Sequence, residues 1–268
     1  IADYRRRKMA DSIINDRNFD DLIEKFSRKV YTGLKGDIRL AVIRRDLLAI
    51  LPDLNASKRL RVLDIGGGLG QISLWLAAMG HEVTYNDMSR KMLEAAQESA
   101  TDRGLMESIH WYQCPYQSLS RDELGTFDIV LCHALIEWLA KPEDLLRVLS
   151  QFTAESGVLS LTFYNQKALV YRNLIRGNFK VLENDFVADP GSLTPHTPFE
   201  PKQIDDWISD LPLKKLKSSG IRVFHDYVMT KRGGHNDDKA MIETELKYSE
   251  IEPYKWLGRY IHLLLLKN

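Results

Sequence analysis

The sequence predicts an α/β fold with a seven-stranded, mostly parallel sheet whose last strand runs antiparallel to the others. Apolar runs of strand length alternate with stretches of helical spacing between about residues 59 and 164. Such alternation is typical of parallel strands joined by crossover helices. The first strand is followed by glycines at positions 66, 68 and 70 and then by a helix. This order is typical of a nucleotide-binding unit, with a plain flexible turn as the alternative.

The individual elements follow from apolar periodicity and from helix start and stop signals. The run Phe127–Cys132 is almost continuously apolar, as expected of a parallel strand buried on both faces. In the helix over 36–51, one face carries Leu40, Ile43, Leu47 and Leu51. We expect strands at 59–65, 82–87, 108–113, 127–132, 157–164, 216–227 and 259–266. We expect further helices at 71–79, 91–101, 143–152, 168–176 and 201–210.

The chain of 268 residues suits one large domain over 16–268, preceded by a basic extension over 1–15 with little fixed structure. The alternation of strands and helices breaks at about 167–210, where Pro190, Pro195 and Pro198 interrupt the pattern. Ligands bind at the carboxyl ends of the strands in open α/β sheets, and this segment follows one such end. We therefore expect it to be a substrate lid, with a surface loop of no role as the alternative.

Composition excludes several classes of protein. The net charge is +0, so a nucleic-acid partner has to be held by a local patch. The two cysteines lack metal-ligand spacing and fit a reducing compartment, so we expect a cytoplasmic protein without a metal. No run approaches the roughly 18 apolar residues of a membrane span. Composition does not indicate the oligomeric state.

The acid and the glycines around the first turn favour one cofactor over another. Asp64, Gly66, Gly68 and Gly70 alternate along the chain. A dinucleotide fingerprint that starts at Gly66 would need a small residue where Gln71 stands. The pattern instead resembles the first motif of the class I methyltransferases that use S-adenosylmethionine, which implies a Rossmann-like fold.

Other candidate residues lie at the ends of the predicted strands. Asp87 ends the second strand and can accept hydrogen bonds from both ribose hydroxyls, or else cap the next helix, although Ser89 is the better cap. Asp64, Gly66, Gly67 and Gly68 are expected at the cofactor. His133 follows the fourth strand, where a binding role and a structural role are both open. Trp138 is expected in the core. The amide oxygen of Gln117, beside Tyr116, can accept a hydrogen bond from an adenine amine.

The predicted strand over 216–227 carries charged residues among apolar ones. Arg222, Phe224 and Asp226 would share one face, since side chains alternate along a strand. The alternative is an ordinary surface ion pair between Arg222 and Asp226. Arg259 and Tyr260 begin the next strand and would join the same cluster.

Several stretches together resemble the bacterial tRNA 5-carboxymethoxyuridine methyltransferases from about residue 16 to the end of the chain. The most specific are 222–227 (RVFHDY) and 258–262 (GRYIH), and the others are 16–21, 24–28, 64–68, 133–138, 163–165 and 177–179. The resemblance implies transfer of a methyl group to the carboxylate of 5-carboxymethoxyuridine at the tRNA wobble position. It also implies cofactor contacts from Arg39, Gly66, Gly67, Asp87, Tyr116, Gln117 and His133.

The implied chemistry needs no general base, because a carboxylate with a pKa near ~4 is already ionised at neutral pH. No Ser–His–Asp set or carboxylate pair is recognised in the sequence. A guanidinium suits a carboxylate, and we nominate Arg222 first and Arg259 second. The anticodon loop needs cations and flat groups. Candidates are Lys35, Tyr164, His225 and Tyr260, then Lys25, Arg28, Lys29, Tyr31, Arg44, Arg45 and Tyr171.

The sequence departs from the expected family pattern in one place, and two other functions remain open. A basic run is expected within the lid of relatives, but residues 183–200 contain no Lys or Arg, so phosphate contacts would have to come from elsewhere. The chain could instead methylate a small carboxylic acid, which its zero net charge would suit. It could also be an RNA-binding protein that holds S-adenosylmethionine without catalysing transfer.

Overall fold

Seven strands form one sheet in a computed structural model that describes residues 33–55, 58–183, 195, 197–228 and 233–268. The strands are β1 (Arg61–Ile65), β2 (Glu82–Asp87), β3 (Ile109–Gln113), β4 (Phe127–His133), β5 (Thr153–Tyr164), β6 (Leu213–Ile221) and β7 (Tyr260–Lys267). Their order in the sheet is β3-β2-β1-β4-β5-β7-β6. Strand β7 is antiparallel to both of its neighbours, and the pairs from β3 to β5 are parallel. The predicted fold class is confirmed.

Helices cover both faces of this sheet. They are α1 (Leu34–Ile50), α2 (Gln71–Ala78), α3 (Arg90–Asp102), α4 (Arg121–Leu124), α5 (Pro142–Phe152), α6 (Gln166–Ile175), α7 (Phe179–Glu183), α8 (Pro201–Ser209) and α9 (Asp238–Tyr248). One apolar core packs α5 and α8 on the sheet, and a second packs α1, α2 and α3 on the opposite face. Helix α1 also turns two polar side chains inward, Arg39 and Asp46. Burying charge is costly without partners, so these two residues indicate polar sites within the core.

The sixth strand differs from its prediction of 216–227. It begins at Leu213 and ends at Ile221, and the residues after it form a tight turn with a short helical segment at His225–Tyr227. Arg222 has a φ of 59°, in the left-handed region that a strand does not use. The prediction that Arg222, Phe224 and Asp226 share a strand face is therefore wrong.

Helix α9 was not predicted, because its periodicity is interrupted by Glu245 on the buried side. Asp237 caps the helix start, accepting hydrogen bonds from the amides of Lys239 and Ala240. The helix packs against α1 and brings Glu245 to the turn after β6.

Some predictions fall outside the described residues. These are the extension over 1–15, the motifs at 16–21 and 24–28, and the side chains of Lys25, Arg28, Lys29 and Tyr31. The described parts of the predicted lid include α6, α7 and α8, and residues 184–194 and 196 lie outside the description. In the described part of the chain, no helix combines the length and apolarity needed to cross a bilayer. The same residues contain no group of three potential His, Cys, Asp or Glu metal ligands.

Candidate active site

The glycine turn after β1 is held tightly to the next strand. The amides of Gly66 and Gly67 both donate to the carbonyl of Asn86, at 2.9 and 3.0 Å. Gly66 has a φ of 69°, which favours glycine, and a Cβ at Gly67 would lie 2.4 Å from the ring of Tyr85. The Tyr85 hydroxyl donates to the carbonyl of Gly68 at 2.5 Å. Bare main chain is therefore exposed at the tip of β1 in a fixed conformation.

Asp64 lies under this turn and is almost fully buried. Its carboxylate accepts a hydrogen bond of 2.7 Å from the hydroxyl of Ser73. Burial raises the pKa of Asp64 to about 7, with the Asp87 charge adding to the rise and the Ser73 hydrogen bond and Arg39 opposing it. The group is thus poised to gain or lose a proton near neutral pH.

Asp87 joins the glycine turn to the next helix. One carboxylate oxygen accepts from the Gly68 amide at 2.9 Å, and the other accepts from the Ser89 amide at 2.8 Å. The Ser89 hydroxyl accepts from the Met92 amide, so the prediction that Ser89 caps α3 is confirmed. Asp87 is partly exposed at the tip of β2, and its contact with a ribose stays a prediction.

A pocket opens above the turn, and we call it the cofactor pocket. Its lining consists of Arg39, Asp64, Gly66, Gly67, Gln71, Ile72 and His133. Helix α1 brings Arg39 into it, and the Arg39 guanidinium donates to the Gln71 side chain at 3.1 Å. The pocket holds only about 20 Å³ of open space, and its wall combines bare main chain, a cation and a buried acid.

His133 is connected through the interior to helix α1. Its Nε2 lies 2.9 Å from the Ser160 hydroxyl, which lies 2.8 Å from Nε2 of His262. His262 Nδ1 donates to Asp46 at 2.8 Å. Ser160, His262 and Asp46 thus form a hydrogen-bonded set that the sequence does not reveal. Ser160 is fully buried, however, so this set cannot present a nucleophile to a substrate.

Two other predicted cofactor residues lie after β3. Tyr116 is buried in the apolar core, and Gln117 is exposed beside it. Trp138 is buried, and Cys132 is a fully buried free thiol, as predicted for both. Tyr116 is therefore placed to support the wall of a site through packing, while Gln117 is accessible for a hydrogen bond.

The second group of predicted residues forms what we call the arginine cluster, Arg222, Asp226 and Arg259. The Asp226 carboxylate lies 3.5 Å from Arg222 Nη2 and 4.0 Å from Arg259 Nε. Burial alone would raise the pKa of Asp226, but a hydrogen bond from His225 and the charges of Arg222, Arg259 and Lys35 hold it well below its ordinary value. Asp226 is therefore ionised. Among the described residues, the buried Nη1 of Arg259 has no hydrogen-bond partner.

Close main-chain packing brings the two arginines together. A Cβ at Gly258 would lie 2.6 Å from the Cα of Gly220, so glycine is needed where these segments meet. The Arg259 amide donates to the Arg222 carbonyl at 3.4 Å. The side chain of Asn165 donates to the carbonyl of Gly258 at 2.9 Å and fixes the approach to β7.

Tyrosines lie beneath the arginine cluster. Arg259 lies 4.8 Å from the ring centroid of Tyr164, and Arg222 lies 5.8 Å from that of Tyr260. Tyr164 is fully buried, so the expectation that it offers an open stacking surface is corrected: its ring supports Arg259 instead. Tyr260 is partly exposed, and burial raises its pKa.

The turn that carries Arg222 is held by Glu245 from helix α9. The Glu245 carboxylate accepts from the amides of Val223, Phe224 and His225 at 2.8, 3.1 and 2.7 Å. Sequence reasoning missed Glu245, since an acid in an unassigned segment gave no local signal. His225 is partly buried against Asp226, and Lys35 is exposed at the start of α1.

Cations and an aromatic group stand on the outer side of the cluster, on helix α6. Tyr171 is 40% exposed and packs edge-on against Tyr227 at 5.3 Å. Arg176 is exposed and donates to the main-chain carbonyl of Asp226 at 3.4 Å, and Arg172 is partly buried nearby. These cations lie on the predicted helix over 168–176 and supply charge that residues 183–200 lack. Arg45, in contrast, bonds internally to Asp46, which corrects its nomination as a phosphate contact.

Glu137 lies in the short helical segment that follows β4. It is fully buried, and neither carboxylate oxygen has a hydrogen-bond partner in the described structure. Burial raises the pKa of Glu137 to about 8, although the amides of Glu137 and Tyr164 oppose the rise. The carboxyl therefore carries a proton at neutral pH.

Comparisons with known proteins show the family and the fold. Residues 63–161 match the methyltransferase domain family. The tRNA 5-carboxymethoxyuridine methyltransferase of Escherichia coli K12 is 37% identical over 251 residues, which cover 93% of this chain and 96% of that protein. The ubiquinone biosynthesis O-methyltransferase of Colwellia psychrerythraea is 27% identical over 60% of this chain and 64% of that protein. The fold resembles magnesium protoporphyrin IX methyltransferase from Synechocystis, solved with bound S-adenosylhomocysteine, with a TM-score of 0.61, 17% identity, and 93% and 96% of the two chains covered.

Proposed function

The chain belongs to the family of tRNA 5-carboxymethoxyuridine methyltransferases, and we propose that it catalyses the same transfer. In this proposal the methyl group of S-adenosylmethionine passes to the carboxylate of 5-carboxymethoxyuridine at the tRNA wobble position. The product is a methyl ester. A tRNA substrate implies action in the cytoplasm.

The residues of the cofactor pocket fit S-adenosylmethionine. The bare glycine turn suits a nucleoside lying against main chain, and Asp87 at the tip of β2 suits its ribose hydroxyls. Arg39 from α1, Asp64 from β1 and His133 from β4 offer charge and hydrogen bonds to an amino-acid group. When bound, the cofactor supplies an electrophilic methyl group on a sulfonium. The chain supplies orientation and shields that group from water.

The single observation that carries the substrate assignment is the unpaired Nη1 of Arg259. A buried guanidinium nitrogen without a partner is costly, and a substrate carboxylate oxygen satisfies it with a charge-assisted hydrogen bond. An unmodified uridine has no group that carries the matching charge. The cluster therefore selects the acidic form of the wobble base.

Asp226 sets how strongly the cluster holds its ligand. Two arginines share one ionised carboxylate in the cluster, so a net positive charge remains for the substrate. Because Asp226 takes part of that charge, the substrate carboxylate is oriented without being paired so tightly that it loses nucleophilicity. An ionised carboxylate needs no general base, and the displacement needs only alignment.

The outer face of helix α6 suits the anticodon loop. Tyr171 offers an exposed ring for stacking, and Arg172 and Arg176 offer charge for phosphates. Lys35 at the start of α1 extends the same positive region toward the cluster, since its charge acts on Asp226. The chain thus recognises a local RNA structure despite a net charge of +0.

The test is incubation with tritiated S-adenosylmethionine and two tRNA pools, one with and one without the carboxymethoxy group. We expect label only with the modified pool, in a base-labile methyl ester identified by nucleoside mass analysis. Label on the unmodified pool would contradict the proposal. Label on small carboxylic acids but not on tRNA would favour a small-acid methyltransferase. Cofactor binding without transfer to any substrate would indicate a non-catalytic binding protein.

A further inference from the structure

Three buried donor atoms at the arginine cluster have no hydrogen-bond partner among the described residues. They are the hydroxyl of Tyr164, Nε of Arg172 and Nη1 of Arg259. Tyr164 is 0% exposed, so water does not surround its hydroxyl. A buried donor that has lost its bonds to water and gained no others destabilises the fold. Three such atoms in one region therefore indicate an acceptor that binds there.

Tyr164 lies at the edge of the sheet that carries the cofactor pocket. It is the last residue of β5, which is parallel to β4, and β4 ends at His133 in the lining of that pocket. Open α/β sheets bind their ligands at this edge. The Arg259 guanidinium lies 4.8 Å from the ring centroid of Tyr164. The side chains of Arg222 and Arg259 are 13% and 14% exposed, so the cluster reaches the surface beside the buried tyrosine.

The surroundings of the Tyr164 hydroxyl carry more positive than negative charge. Four charged side chains act on it, the cations Arg172, Arg222 and Arg259 and the carboxylate Asp226. Asp226 is already engaged, because it lies 3.5 Å from Arg222 and 4.0 Å from Arg259. Three cations and one acid leave a positive local field, which favours an anion as the missing acceptor.

The Tyr164 hydroxyl keeps its proton in this field. Burial raises the pKa of Tyr164, although the charges of Arg259, Arg172 and Arg222 oppose the rise. The hydroxyl is therefore a donor at neutral pH and adds no charge of its own. A neutral donor suits a carboxylate that has to remain nucleophilic, because a further cation would draw more electron density from the attacking oxygen.

We propose that the Tyr164 hydroxyl donates a hydrogen bond to the substrate carboxylate beside Arg259, and that it thereby selects the carboxymethoxy group over a neutral substituent on the wobble base. This inference rests on the proposed function for the identity of the substrate. A carboxylate has about four lone-pair sites, so it satisfies the Tyr164 hydroxyl and Nη1 of Arg259 together. A neutral substituent leaves both buried donors without a charged acceptor. Tyr164 is thus a specificity-determining residue as well as the ring that supports Arg259.

The test measures binding of two synthetic anticodon stem-loops that differ only at the wobble base. One carries 5-carboxymethoxyuridine, and the other carries 5-methoxyuridine, which lacks the carboxylate. Fluorescence anisotropy gives the Kd of each in the presence of S-adenosylhomocysteine, so that no methyl transfer occurs. We expect Tyr164→Phe to reduce the wild-type preference for the acidic stem-loop about tenfold and to leave the Kd of the methoxy stem-loop unchanged. Tyr227→Phe is the matched control and should keep the preference, because the Tyr227 hydroxyl already donates to the Leu257 carbonyl at 2.6 Å.

A crystal structure of the wild type with the acidic stem-loop and S-adenosylhomocysteine provides a second measurement. We expect the Tyr164 hydroxyl oxygen about 2.5–2.7 Å from a carboxylate oxygen of the wobble base. A separation beyond hydrogen-bond reach would overturn the inference and leave the proposed function in place. The same holds if Tyr164→Phe keeps the full preference or weakens both stem-loops equally. A wild type that binds both stem-loops with equal affinity would overturn the proposed function as well.

Discussion

The cofactor side of the site is made mainly of main chain, whereas the substrate side is made of side chains. The cofactor pocket centres on a short stretch after β1, whose glycines expose amides and carbonyls. The arginine cluster draws Arg222 and Arg259 from the ends of two strands, with Asp226 between them. The first side is therefore mostly local in sequence, with Arg39 and His133 added from α1 and β4, and the second depends on tertiary packing throughout.

This difference predicts how each side should respond to an amino-acid substitution. A main-chain pocket fails when a side chain intrudes, because its ligand lies against bare backbone. A side-chain cluster fails when a charge is removed, because a buried carboxylate then loses its partner. The two sides should be separable by measuring cofactor binding and methyl transfer independently.

The largest effect is expected from Arg259→Ala. Loss of one partner of a buried charged hydrogen bond should lower kcat/KM for tRNA about 100-fold, with the Kd of S-adenosylhomocysteine unchanged. Arg259→Lys should recover part of this loss, since it restores the charge without the guanidinium fork. Arg147→Ala is the matched control, because Arg147 is 62% exposed in a surface ion pair. Unaltered transfer by Arg259→Ala would remove Arg259 from the substrate site.

Gly67→Ala tests the main-chain side. Its added Cβ would lie 2.4 Å from the Tyr85 ring, and relief of that clash should displace the turn. Overpacking of about 1–3 kcal/mol would raise the Kd of S-adenosylhomocysteine roughly 10- to 100-fold. Gly234→Ala is the control, since a Cβ there meets nothing within 4 Å. Normal cofactor binding by Gly67→Ala would show that the pocket tolerates a side chain.

The pH dependence of stability tests whether the buried Glu137 carboxyl is protonated in the folded protein. A Glu carboxyl in the unfolded chain has a pKa near ~4.3, while the folded protein holds the proton up to about pH 8. The folded state is therefore favoured at low pH, and this stabilisation is lost as pH rises from about 4.3 to about 8. Between pH 5 and pH 8, the free energy of unfolding of Glu137→Gln should fall by roughly 2–4 kcal/mol less than that of the wild type, measured by urea unfolding.

Glu155→Gln serves as the control for this measurement, because the Glu155 side chain is 74% exposed. It should leave the pH dependence of unfolding as it is in the wild type. If Glu137→Gln also follows the wild-type curve, the Glu137 carboxyl is ionised in the folded protein and its surroundings are polar.

The smallest effect is expected on the outer face of helix α6. Arg176→Ala should raise KM for tRNA about threefold and lower the salt dependence of binding by about one counterion. Lys202→Ala removes a comparable cation that is 82% exposed on helix α8, and it should change neither quantity. Equal effects of both substitutions would indicate non-specific attraction rather than a tRNA-binding face.

The elements that carry the proposed cofactor residues could be predicted from the sequence because their signals are local. Asp64, the alternating glycines and Asp87 stand within one βα unit and its next strand, and each keeps its expected place. The fold class followed from the same alternation of strands and helices.

The remaining features depend on contacts between residues far apart in the chain. Arg222 reaches the cluster through a left-handed turn rather than a strand, and that turn is held by Glu245 from another element. The buried hydrogen-bonded set of His133, Ser160, His262 and Asp46 requires the register of β4, β5 and β7 and the placement of α1. No periodicity within one segment reports such pairings, since each strand pattern is satisfied by many registers.

The three hydrogen bonds that Glu245 accepts from main-chain amides have a consequence for how a new substrate specificity could arise. The helix that supplies them touches α1 on its other side, where Arg45 donates to the Leu246 carbonyl at 2.6 Å. The position of Arg222 is thus set from a helix that lines neither the cofactor pocket nor the arginine cluster. We expect laboratory evolution toward an acid of different shape to select substitutions within 238–248, away from the reacting groups. The residues of the cofactor pocket would stay unchanged.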